Sequence, residues 1–285
     1  MKKVFVTSIT GTQGASIAKT FKDQGYSVAS MVRKAVELPE YDIAVGSFSD
    51  TPLLASLMKD SEAIILTLPL LFDAQEIIEI TQQIVSATKE AGVQTIIFNS
   101  SIPLGDSKTG YPAIDVKHDA LDVLNKSGLD IITLMPTIYL DNLSSPFLLP
   151  VIQEAKIIPY PISDDLEFNW ISQENLGRYC VAALNDINLI NEKVLITNKG
   201  KHSKQHIAKL ISEEVKTEVS YIATTPAQFE DNLKPIFGDY IANEIANLYR
   251  GVSENSENFT NYAHQEFIDS VELESTEQWV KSIAW

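Results

Sequence analysis

The stretch Val4–Gly14 near the N-terminus restricts the fold of this chain more than any other part of the sequence. Its apolar beginning is typical of a buried parallel strand. The small-residue turn that follows leads into an amphipathic helix, with Ile17, Ala18 and Phe21 at helical spacing. We interpret this strand, turn and helix as the first half of a βαβ unit that binds a nucleotide.

The turn has the spacing Ser8-x-x-Gly11-x-x-Gly14, in which Ser8 stands at the first position of a Gly-x-x-Gly-x-x-Gly turn. Because Gly11 and Gly14 carry no side chain, the backbone can approach a ligand pyrophosphate, and the N–H groups that open the helix can point at it. Some strand-to-helix corners need glycine for structural reasons alone, so that alternative stays open. The position of the turn between a strand and a helix favours nucleotide binding.

Length, charge and cysteine content limit the class of protein. With 285 residues, the chain is long enough for one large α/β domain, or for a nucleotide-binding domain with a smaller companion. The 38 acidic and 22 basic residues give a formal net charge of −16, which argues against nucleic acid or a membrane surface as the main partner. The N-terminal apolar run is too short for a signal peptide, and no run approaches transmembrane length. The single cysteine, Cys180, excludes an internal disulfide, so we expect a cytoplasmic protein with Cys180 as a core thiol.

Residues 1–142 alternate between strand and helix patterns. After the first unit, strands are predicted at Ser27–Val32, Ile43–Val45, Ala63–Leu68, Thr95–Phe98 and Asp130–Met135, and helices at Thr51–Met58, Asp73–Ala91 and Ala113–Ser127. Such alternation implies right-handed crossovers and an α/β fold with a doubly wound parallel sheet of the Rossmann type. We assign residues 1–142 to an NAD(P)-binding domain whose ligand crevice lies at the carboxyl ends of the strands.

Residues 143–285 are predicted to form a smaller, mostly helical substrate lobe. Prolines break up a segment that we expect to be irregular; they are Pro146, Pro150, Pro159 and Pro161. Helices are predicted at Gln173–Leu184, 203–216 and 226–250. The short β-type run Lys193–Thr197 is a candidate to return to the main sheet, and Ser253–Phe259 is polar and acidic enough for a mobile loop.

Arg33 follows the predicted strand Ser27–Val32. In NAD-specific dinucleotide folds an acidic residue at this place accepts the ribose 2′-hydroxyl, whereas a basic residue accommodates a 2′-phosphate. Charge-assisted hydrogen bonds of roughly 1.5–3 kcal/mol each correspond to a preference of about 10- to 100-fold or more. The sequence therefore predicts NADP(H) as cofactor, preferred over NAD(H), with a solvated surface cation as the alternative for Arg33.

Polar residues at the predicted crevice are candidates for chemistry. Ser100 and Ser101 end a strand, where a hydroxyl can hold a substrate carbonyl or the nicotinamide, or where small residues only make room. Lys117 lies near the start of a helix, and desolvation beside a cofactor would lower the pKa of its ammonium toward neutral pH. We expect its neighbour His118 on the helix surface. His202 and His206 have i,i+4 spacing without further ligands nearby, so we expect a surface cap and no metal site.

Taken together, these residues resemble the NmrA-like family of atypical short-chain dehydrogenases/reductases. This family includes quinone and azo-dye reductases, isoflavone-reductase-like enzymes and non-catalytic NADP(H)-sensing regulators. The resemblance extends from Lys2 to about Leu184 and, more loosely, to the C-terminus. It is carried by the Ser8-x-x-Gly11-x-x-Gly14 turn, Arg33, Leu66-Thr67-Leu68-Pro69, Asn99-Ser100-Ser101, Lys117, Pro136-Thr137-Ile138-Tyr139-x-x-Asn142 and Trp170–Gly177.

The resemblance implies a set of site residues. Cofactor contacts are expected at Ser8, Thr10, Gly11, Thr12, Gln13, Gly14, Arg33, Leu68, Pro69, Asn99, Ser100, Lys117, Pro136 and Tyr139. Substrate contacts are expected at Ser101, Tyr139 and Trp170, with Trp170, Phe147 and Tyr160 as an apolar cover. Lys117 is the candidate catalytic residue, either as a proton donor or only as a ligand of the nicotinamide ribose.

One departure from the wider superfamily bears on the reaction. The tyrosine that typical short-chain dehydrogenases and sugar epimerases carry four residues before the lysine would fall at Ala113, and Tyr111 is six residues before Lys117. The leading hypothesis is therefore an NADPH-dependent oxidoreductase that delivers hydride to a quinone-like, azo or other conjugated acceptor. The alternative is a non-catalytic NADP(H) sensor that binds a protein partner, and an epimerase would need a phenol near Lys117. A small-molecule acceptor is the expected partner, and the chain is expected to be a monomer or homodimer.

Overall fold

The computed structural model of the protein describes residues 2–163, 166, 169–200, 203–259 and 263–285. Within these residues, the strands are β1 (Lys3–Val6), β2 (Ser27–Val32), β3 (Asp42–Val45), β4 (Ala63–Thr67), β5 (Thr95–Asn99), β6 (Asp130–Pro136), β7 (Ile138–Tyr139), β8 (Ile157–Tyr160), β9 (Trp170–Ile171), β10 (Lys193–Ile196) and β11 (Ser220–Ala223). The helices are α1 (Thr12–Asp23), α2 (Thr51–Met58), α3 (Ala74–Glu90), α4 (Pro112–Asn125), α5 (Leu149–Ala155), α6 (Gln173–Leu184), α7 (Lys204–Val215), α8 (Pro226–Glu254), α9 (Gln265–Ser270) and α10 (Thr276–Ser282). A kink at Gly238 interrupts α8.

Seven parallel strands form the central sheet in the order β10-β6-β5-β4-β1-β2-β3. The chain runs outward from β1 in one direction through β2 and β3, and then in the other direction through β4, β5 and β6. The order therefore reverses between β1 and β4, and in such sheets ligands bind outside the carboxyl ends of the strands at this point. The predicted doubly wound, Rossmann-type sheet is confirmed.

Both faces of the sheet are covered by helices, which explains the near-continuous apolar runs in the strands. Side chains alternate across β1: Phe5 joins the core beneath α2, α3 and α4, whereas Val4 and Val6 join the core beneath α1 and α6. At the carboxyl edge, Thr67 of β4 lies opposite Asn99 of β5. This register places two polar side chains next to each other where the predicted crevice begins.

The C-terminal half contains more β-structure than expected. β8 and β11 form a parallel pair, and β7 pairs with β9. The segment expected to be irregular thus contains α5 and β8, because the prolines stand near the start of α5 and inside a short two-stranded sheet. β10 lies beside β6, so the central sheet includes residues on both sides of position 142.

The expectation of a mobile loop at Ser253–Phe259 is wrong. α8 continues to Glu254, and a short 3-10 helix covers Ser256–Phe259. The side chain of Asn258 lies close against Gly105, so this polar segment is held by the loop that precedes α4. Within the described ranges, every helix is either too short or too polar to cross a membrane.

Candidate dinucleotide site

The glycine turn draws the start of α1 against the end of β1. A Cβ atom at Gly14 would overlap the carbonyl oxygen of Ser8 and lie 2.8 Å from the carbonyl oxygen of Thr7. A Cβ atom at Gly11 would lie 3.3 Å from the same Ser8 oxygen, which is tight but not an overlap. Only glycine therefore fits at position 14 without a shift of the backbone, and this close approach keeps the first turn of α1 at the carboxyl edge of the sheet.

Ser8 takes the place of a glycine in conformation as well as in sequence. Its φ is 55°, in the left-handed region that favours glycine. Its Oγ donates to the carbonyl oxygen of Thr67 at 2.9 Å, and Thr7 Oγ1 donates to the same oxygen at 2.7 Å. The serine hydroxyl thus ties the turn to the end of β4 while the backbone follows the path that a glycine would take.

The first turn of α1 presents backbone N–H groups without a side-chain cap. Gly11 is the N-cap residue, and no side chain accepts a hydrogen bond at this end. Thr10, Gly11 and Thr12 are exposed, and Thr12 Oγ1 accepts a hydrogen bond from Gln173 Nε2 at 3.1 Å. Uncapped N–H groups at a helix N-terminus attract anions, so the turn has the geometry that a dinucleotide phosphate requires.

Five side chains at the strand ends form one hydrogen-bonded group, here called the strand-end cluster: Gln13, Thr67, Asn99, Ser101 and Tyr139. Gln13 Oε1 accepts from Asn99 Nδ2 at 2.7 Å, from Ser101 Oγ at 2.9 Å and from the Tyr139 hydroxyl at 3.2 Å. Asn99 Nδ2 also donates to Thr67 Oγ1 at 3.2 Å. The cluster brings together three residues predicted as cofactor contacts, Gln13, Asn99 and Tyr139, with the predicted substrate residue Ser101.

Tyr139 supplies the phenol of this cluster, and its side chain is buried. Burial raises the pKa of its hydroxyl well above the usual range, and a hydrogen bond with Asn99 opposes this only in part. The hydroxyl therefore keeps its proton at neutral pH, where it acts as a hydrogen-bond donor. Its second neighbour is Asn99 Oδ1 at 3.5 Å, an atom that already accepts from the Ser101 N–H at 3.0 Å.

Lys117 lies in the second turn of α4 and is almost fully buried. Desolvation lowers the pKa of its ammonium to about 8. In the part of the chain that the structure describes, Lys117 makes no hydrogen bond and no ion pair. A buried lysine without a carboxylate partner is unusual, and lysines in such surroundings are candidates for acid-base work.

The structure also locates the two positions that bear on a catalytic tyrosine. Ala113 is buried in α4, and the Tyr111 hydroxyl donates to Glu254 at 2.9 Å. Tyr111 thus faces the end of α8 and takes no part in the strand-end cluster. The dyad of tyrosine and lysine that typical short-chain dehydrogenases use is not built from these two positions.

Arg33 stands at the carboxyl end of β2, on the other side of β1 from the strand-end cluster. Its side chain is exposed and forms no ion pair or hydrogen bond with any described residue. Leu68 is buried, Pro69 is half-buried, and both follow β4 directly. Pro136 is buried at the end of β6. All four residues lie at the carboxyl edge, where the predicted crevice is.

Two residues predicted as contacts, Trp170 and Ser100, have buried side chains. Trp170 is 1% exposed and packs against Tyr160, with ring centroids 5.4 Å apart, and the apolar cover expected from these two rings stays a prediction. Ser100 is fully buried, and its Oγ donates to the carbonyl oxygen of Ile102 at 2.6 Å. Ser100 directly follows Asn99 of the strand-end cluster, so its backbone lies at the same strand end while its hydroxyl bonds within the protein.

Of the histidines and the cysteine, Cys180 lies in the core as expected, whereas His118 is more buried than expected. His118 is half-buried rather than exposed; its Nε2 is buried without a partner, and burial lowers its pKa. His206 Nε2 lies 3.8 Å from Glu277 at the surface, and His202 lies outside the described residues. No group of potential metal ligands occurs in the described residues. Cys180 is buried, and burial raises its pKa, so it is a core thiol.

Sequence reasoning found the residues of this edge but not their connection. It took Gln13 as part of the turn, without a role for its side chain across the crevice. It named Thr67 within Leu66-Thr67-Leu68-Pro69 but gave it no role, whereas the Thr67 carbonyl oxygen accepts from Ser8 and its hydroxyl accepts from Asn99. The spacing of Thr67 two residues before Pro69, at the end of a buried strand, was the available signal.

Comparisons with known proteins show the family of the chain. The sequence model of the NmrA-like family matches residues 1–281, and no curated protein matches the sequence significantly. A Staphylococcus aureus nucleoside-diphosphate-sugar epimerase has a similar structure, with a TM-score of 0.77, 17% identity and coverage of 99% of this chain and 100% of that one.

Two further solved structures differ from each other in function. The Escherichia coli NADPH-dependent quinone oxidoreductase QOR2, solved with NADPH, has a TM-score of 0.77, 15% identity and coverage of 98% of this chain and 99% of that one. The negative transcriptional regulator NmrA, solved with NAD, has a TM-score of 0.70, 17% identity and coverage of 99% and 95%. These likenesses establish the fold, and the family match establishes descent: the chain belongs to the NmrA-like family.

Proposed function

We propose that this protein is an NADPH-dependent oxidoreductase that transfers hydride to a quinone-like, azo or other conjugated small molecule. The observation that carries the proposal is Lys117, a residue that is 8% exposed, whose ammonium has its pKa lowered by burial to about 8 and has no partner in the described structure. Burying a charge without a partner costs stability. A buried lysine that lowers stability in this way is better explained by a role in the reaction than by a role in packing.

The turn and Arg33 support the cofactor. The N–H groups at the start of α1 suit the pyrophosphate, and the exposed Arg33 suits a 2′-phosphate at the far end of the same edge. The E. coli quinone oxidoreductase with this fold was solved with NADPH. When bound, NADPH supplies the hydride, and the protein supplies orientation and exclusion of water.

Lys117 has two roles open to it. With a pKa of about 8, Nζ carries a proton at pH 7 and can give it to an oxygen or nitrogen atom of the acceptor as hydride arrives. Alternatively, it only donates a hydrogen bond to the nicotinamide ribose. Conjugated acceptors can also take their proton from water, so the absence of a tyrosine at Ala113 is compatible with turnover.

Exposed apolar side chains near the end of β4 support an apolar acceptor. Leu70, three residues beyond Thr67, is 56% exposed. Tyr240 of α8 is 63% exposed and packs edge-on against Phe72, with ring centroids 6.2 Å apart. Exposed apolar groups close to a polar site are typical of a surface that binds an apolar ligand.

The first test compares the thermal stabilisation of the protein by NADPH, NADP+, NADH and NAD+. A ligand that binds only the folded state stabilises it by about 2.7 kcal/mol at 100 times its dissociation constant. We expect the phosphorylated cofactors to stabilise the wild type more strongly, and Arg33→Ala to lose this preference. Lys34→Ala, at the next position, is the matched control and is expected to keep it. Absence of stabilisation by any dinucleotide contradicts the proposal.

A non-catalytic NADP(H) sensor is the second candidate. It is favoured by Ala113, which stands where typical dehydrogenases have their tyrosine, and the regulator NmrA shares this fold. The two functions are separated by turnover with a panel of quinones and azo dyes. Turnover that falls in Lys117→Ala, with NADPH binding retained, supports the enzyme. Binding of NADPH without turnover of any acceptor, together with cofactor-dependent capture of a protein partner, supports the sensor.

A further inference from the structure

Helices α1 and α6 lie in close contact, with their N-terminal ends side by side. A Cβ atom at Gly177 of α6 would overlap Thr20 Oγ1 of α1 and lie 3.3 Å from the carbonyl oxygen of Ser16. Gln173 and Thr12 are the first residues of the two helices, and Gln173 Nε2 donates to Thr12 Oγ1 at 3.1 Å. Because of these contacts, a change at the first turn of α1 reaches the start of α6.

The start of α6 also holds residues 272–285, here called the α10 segment. Asn175 is fully buried; its Nδ2 donates to the carbonyl oxygen of Glu274 at 3.0 Å, and its Oδ1 accepts from the Glu274 N–H at 3.0 Å. Asn198 Oδ1 accepts from Asn175 Nδ2 at 2.7 Å, and Asn198 Nδ2 donates to Thr276 Oγ1 at 3.2 Å. Breaking a buried hydrogen bond leaves a polar group unpaired, so the position of the α10 segment depends on the start of α6.

A carboxylate connects the same two elements a second time. Asp141 Oδ2 accepts from the Gln173 N–H at 2.8 Å, and Asp141 Oδ1 accepts from Trp279 Nε1 of α10 at 3.4 Å. Trp279 is buried, so its ring anchors α10 to the rest of the protein. Gln173 therefore contacts α1 through its side chain and is connected to the anchor of α10 through its backbone.

The length of α10 makes its folding dependent on these contacts. α10 has seven residues, and a helix this short is not stable in water without packing partners. Short elements of this kind open locally at a lower free energy than the whole protein unfolds, so small changes at their contacts alter the docked fraction. The α10 segment can therefore respond to the state of α1.

The Thr12 hydroxyl offers the link between a ligand and this chain of contacts. Its oxygen accepts from Gln173, and no described residue accepts its proton. A phosphate bound at the uncapped N–H groups of α1 is the acceptor that fits this donor. A hydroxyl that donates to an anion becomes a better acceptor, so a bound phosphate would strengthen the bond from Gln173.

We propose that dinucleotide binding at the start of α1 controls how firmly the α10 segment is docked, through Thr12, Gln173 and Asp141. This inference rests on the dinucleotide binding of the proposed function, and it applies to an enzyme and to a sensor alike. Since coupling between two sites is reciprocal, docking of the α10 segment also raises the dinucleotide affinity by the same factor. The α10 segment is thus a regulatory element, distinct from the residues that bind the cofactor.

The test measures backbone hydrogen exchange of α10 in the full chain by mass spectrometry. Exchange is compared without NADPH and with NADPH at about 100 times its dissociation constant for each variant. We expect NADPH to slow exchange of α10 in the wild type by about 5-fold or more, which is the usual size of such coupling. Gln173→Ala keeps the N–H for Asp141 and removes the bond to Thr12, so the slowing should disappear.

Two controls separate this coupling from other effects of the ligand or of a lost amide. Gln153→Ala removes another hydrogen bond to the α10 segment, from Gln153 Nε2 of α5 to the carbonyl oxygen of Ala284 at 3.0 Å. Because Gln153 lies outside α1 and α6, this variant should keep the wild-type slowing. Exchange of β11 in the same samples measures the global stabilisation that a bound ligand causes, and only slowing of α10 beyond that value counts.

Each outcome bears on the inference. Loss of the slowing in Gln173→Ala with retention in Gln153→Ala supports it. If the wild type binds NADPH but α10 slows no more than β11, or if the two variants behave alike, the inference is overturned while the proposed function stands. If the wild type binds no dinucleotide, the proposed function itself fails, and the inference fails with it.

Discussion

Two groups of tyrosine and amide side chains among the described residues differ in what they leave unsatisfied. The strand-end cluster is open at Gln13, whose Nε2 has no hydrogen-bond partner in the described structure. The second group, here called the aromatic network, consists of Asn142, Tyr160 and Tyr249. Asn142 Nδ2 donates to the Tyr160 hydroxyl at 2.8 Å, and the two hydroxyls lie 2.5 Å apart.

The neighbours of the two groups also differ. Tyr160 and Tyr249 are buried among aromatic rings, with Phe229 packed against both, and burial raises the pKa of Tyr249 to about 12. These hydroxyls hydrogen-bond to each other within the core of the C-terminal half. Tyr160 and Tyr249 therefore complete the packing of the C-terminal half, whereas Tyr139 belongs to a cluster at the carboxyl edge of the central sheet, where the candidate site lies.

The largest effect on dinucleotide binding should come from Gly14→Ala. The new Cβ would overlap the Ser8 carbonyl oxygen, so the backbone of the turn must move, and Gln13 moves with it. We expect loss of dinucleotide stabilisation and a lower free energy of unfolding, by about 2 kcal/mol or more. Gly11→Ala is the matched control, because its Cβ would lie 3.3 Å from the same oxygen. Equal effects of the two substitutions in a urea titration would contradict this account of the turn.

The next effect concerns pH. Burial lowers the pKa of Lys117 to about 8, so between pH 8 and the ordinary pKa of 10.5 the unfolded chain binds more protons than the folded one. Stability contributed by this group therefore rises with pH across that interval, and below pH 8 its burial costs about 3 kcal/mol. Lys117→Met should be more stable than the wild type at pH 7, and the difference should shrink by pH 10. Urea unfolding at both values is the measurement, and a constant difference would show that Lys117 is not the group responsible.

If Lys117 is the proton donor, the protonation of its ammonium also controls the rate of turnover. Turnover should fall about tenfold per pH unit above pH 8, as the protonated form is lost. Lys117→Arg, which keeps its charge at high pH, should remove this fall from the profile. A profile that is flat up to pH 9.5 in the wild type would restrict Lys117 to cofactor binding.

A smaller effect should distinguish the two tyrosine groups directly. Tyr160→Phe removes the acceptor for Asn142 and a partner of Tyr249, and it should lower the free energy of unfolding by about 1–3 kcal/mol without changing NADPH affinity. Tyr139→Phe leaves Gln13 Oε1 with its two closer donors, so it should cost less stability but change the kinetics of turnover. The reverse pattern, measured by urea unfolding and NADPH oxidation, would mean that the roles of the two groups are exchanged.

The sequence was sufficient for features that depend on local pattern. The bounds of Ser27–Val32, Thr51–Met58 and Gln173–Leu184 agree with the structure because each segment has a clear period and a clear end. The helix Thr51–Met58 begins where expected because Asp50 caps it, with its side chain accepting from the Leu53 N–H. The family followed from residues at fixed spacing, which require no knowledge of long-range packing.

Features that depend on distant contacts were not predictable. The Gln13 side chain meets residues 86 and 126 positions away along the chain, and no local pattern encodes such contacts. The burial of Trp170 depends on the pairing of β9 with β7 and on the packing of Tyr160, which no local pattern encodes. β11 was missed because its short, exposed strand is defined only by its partner β8.

The smallest effect should come from substitutions of Ser8, which stands where a three-glycine turn has its first glycine. At φ 55°, a residue with a side chain costs about 1 kcal/mol relative to glycine. The Oγ bond to Thr67 returns a similar amount, so Ser8→Gly should be close to neutral. Ser8→Ala keeps the strain and loses the bond, and it should be about 1 kcal/mol less stable than Ser8→Gly. If urea unfolding ranks Ser8→Ala above Ser8→Gly, the left-handed conformation is not what the turn requires at this position. With the predicted ranking, serine is tolerated here because its hydroxyl ties the turn to β4, and the dinucleotide affinity of Ser8→Gly should match that of the wild type.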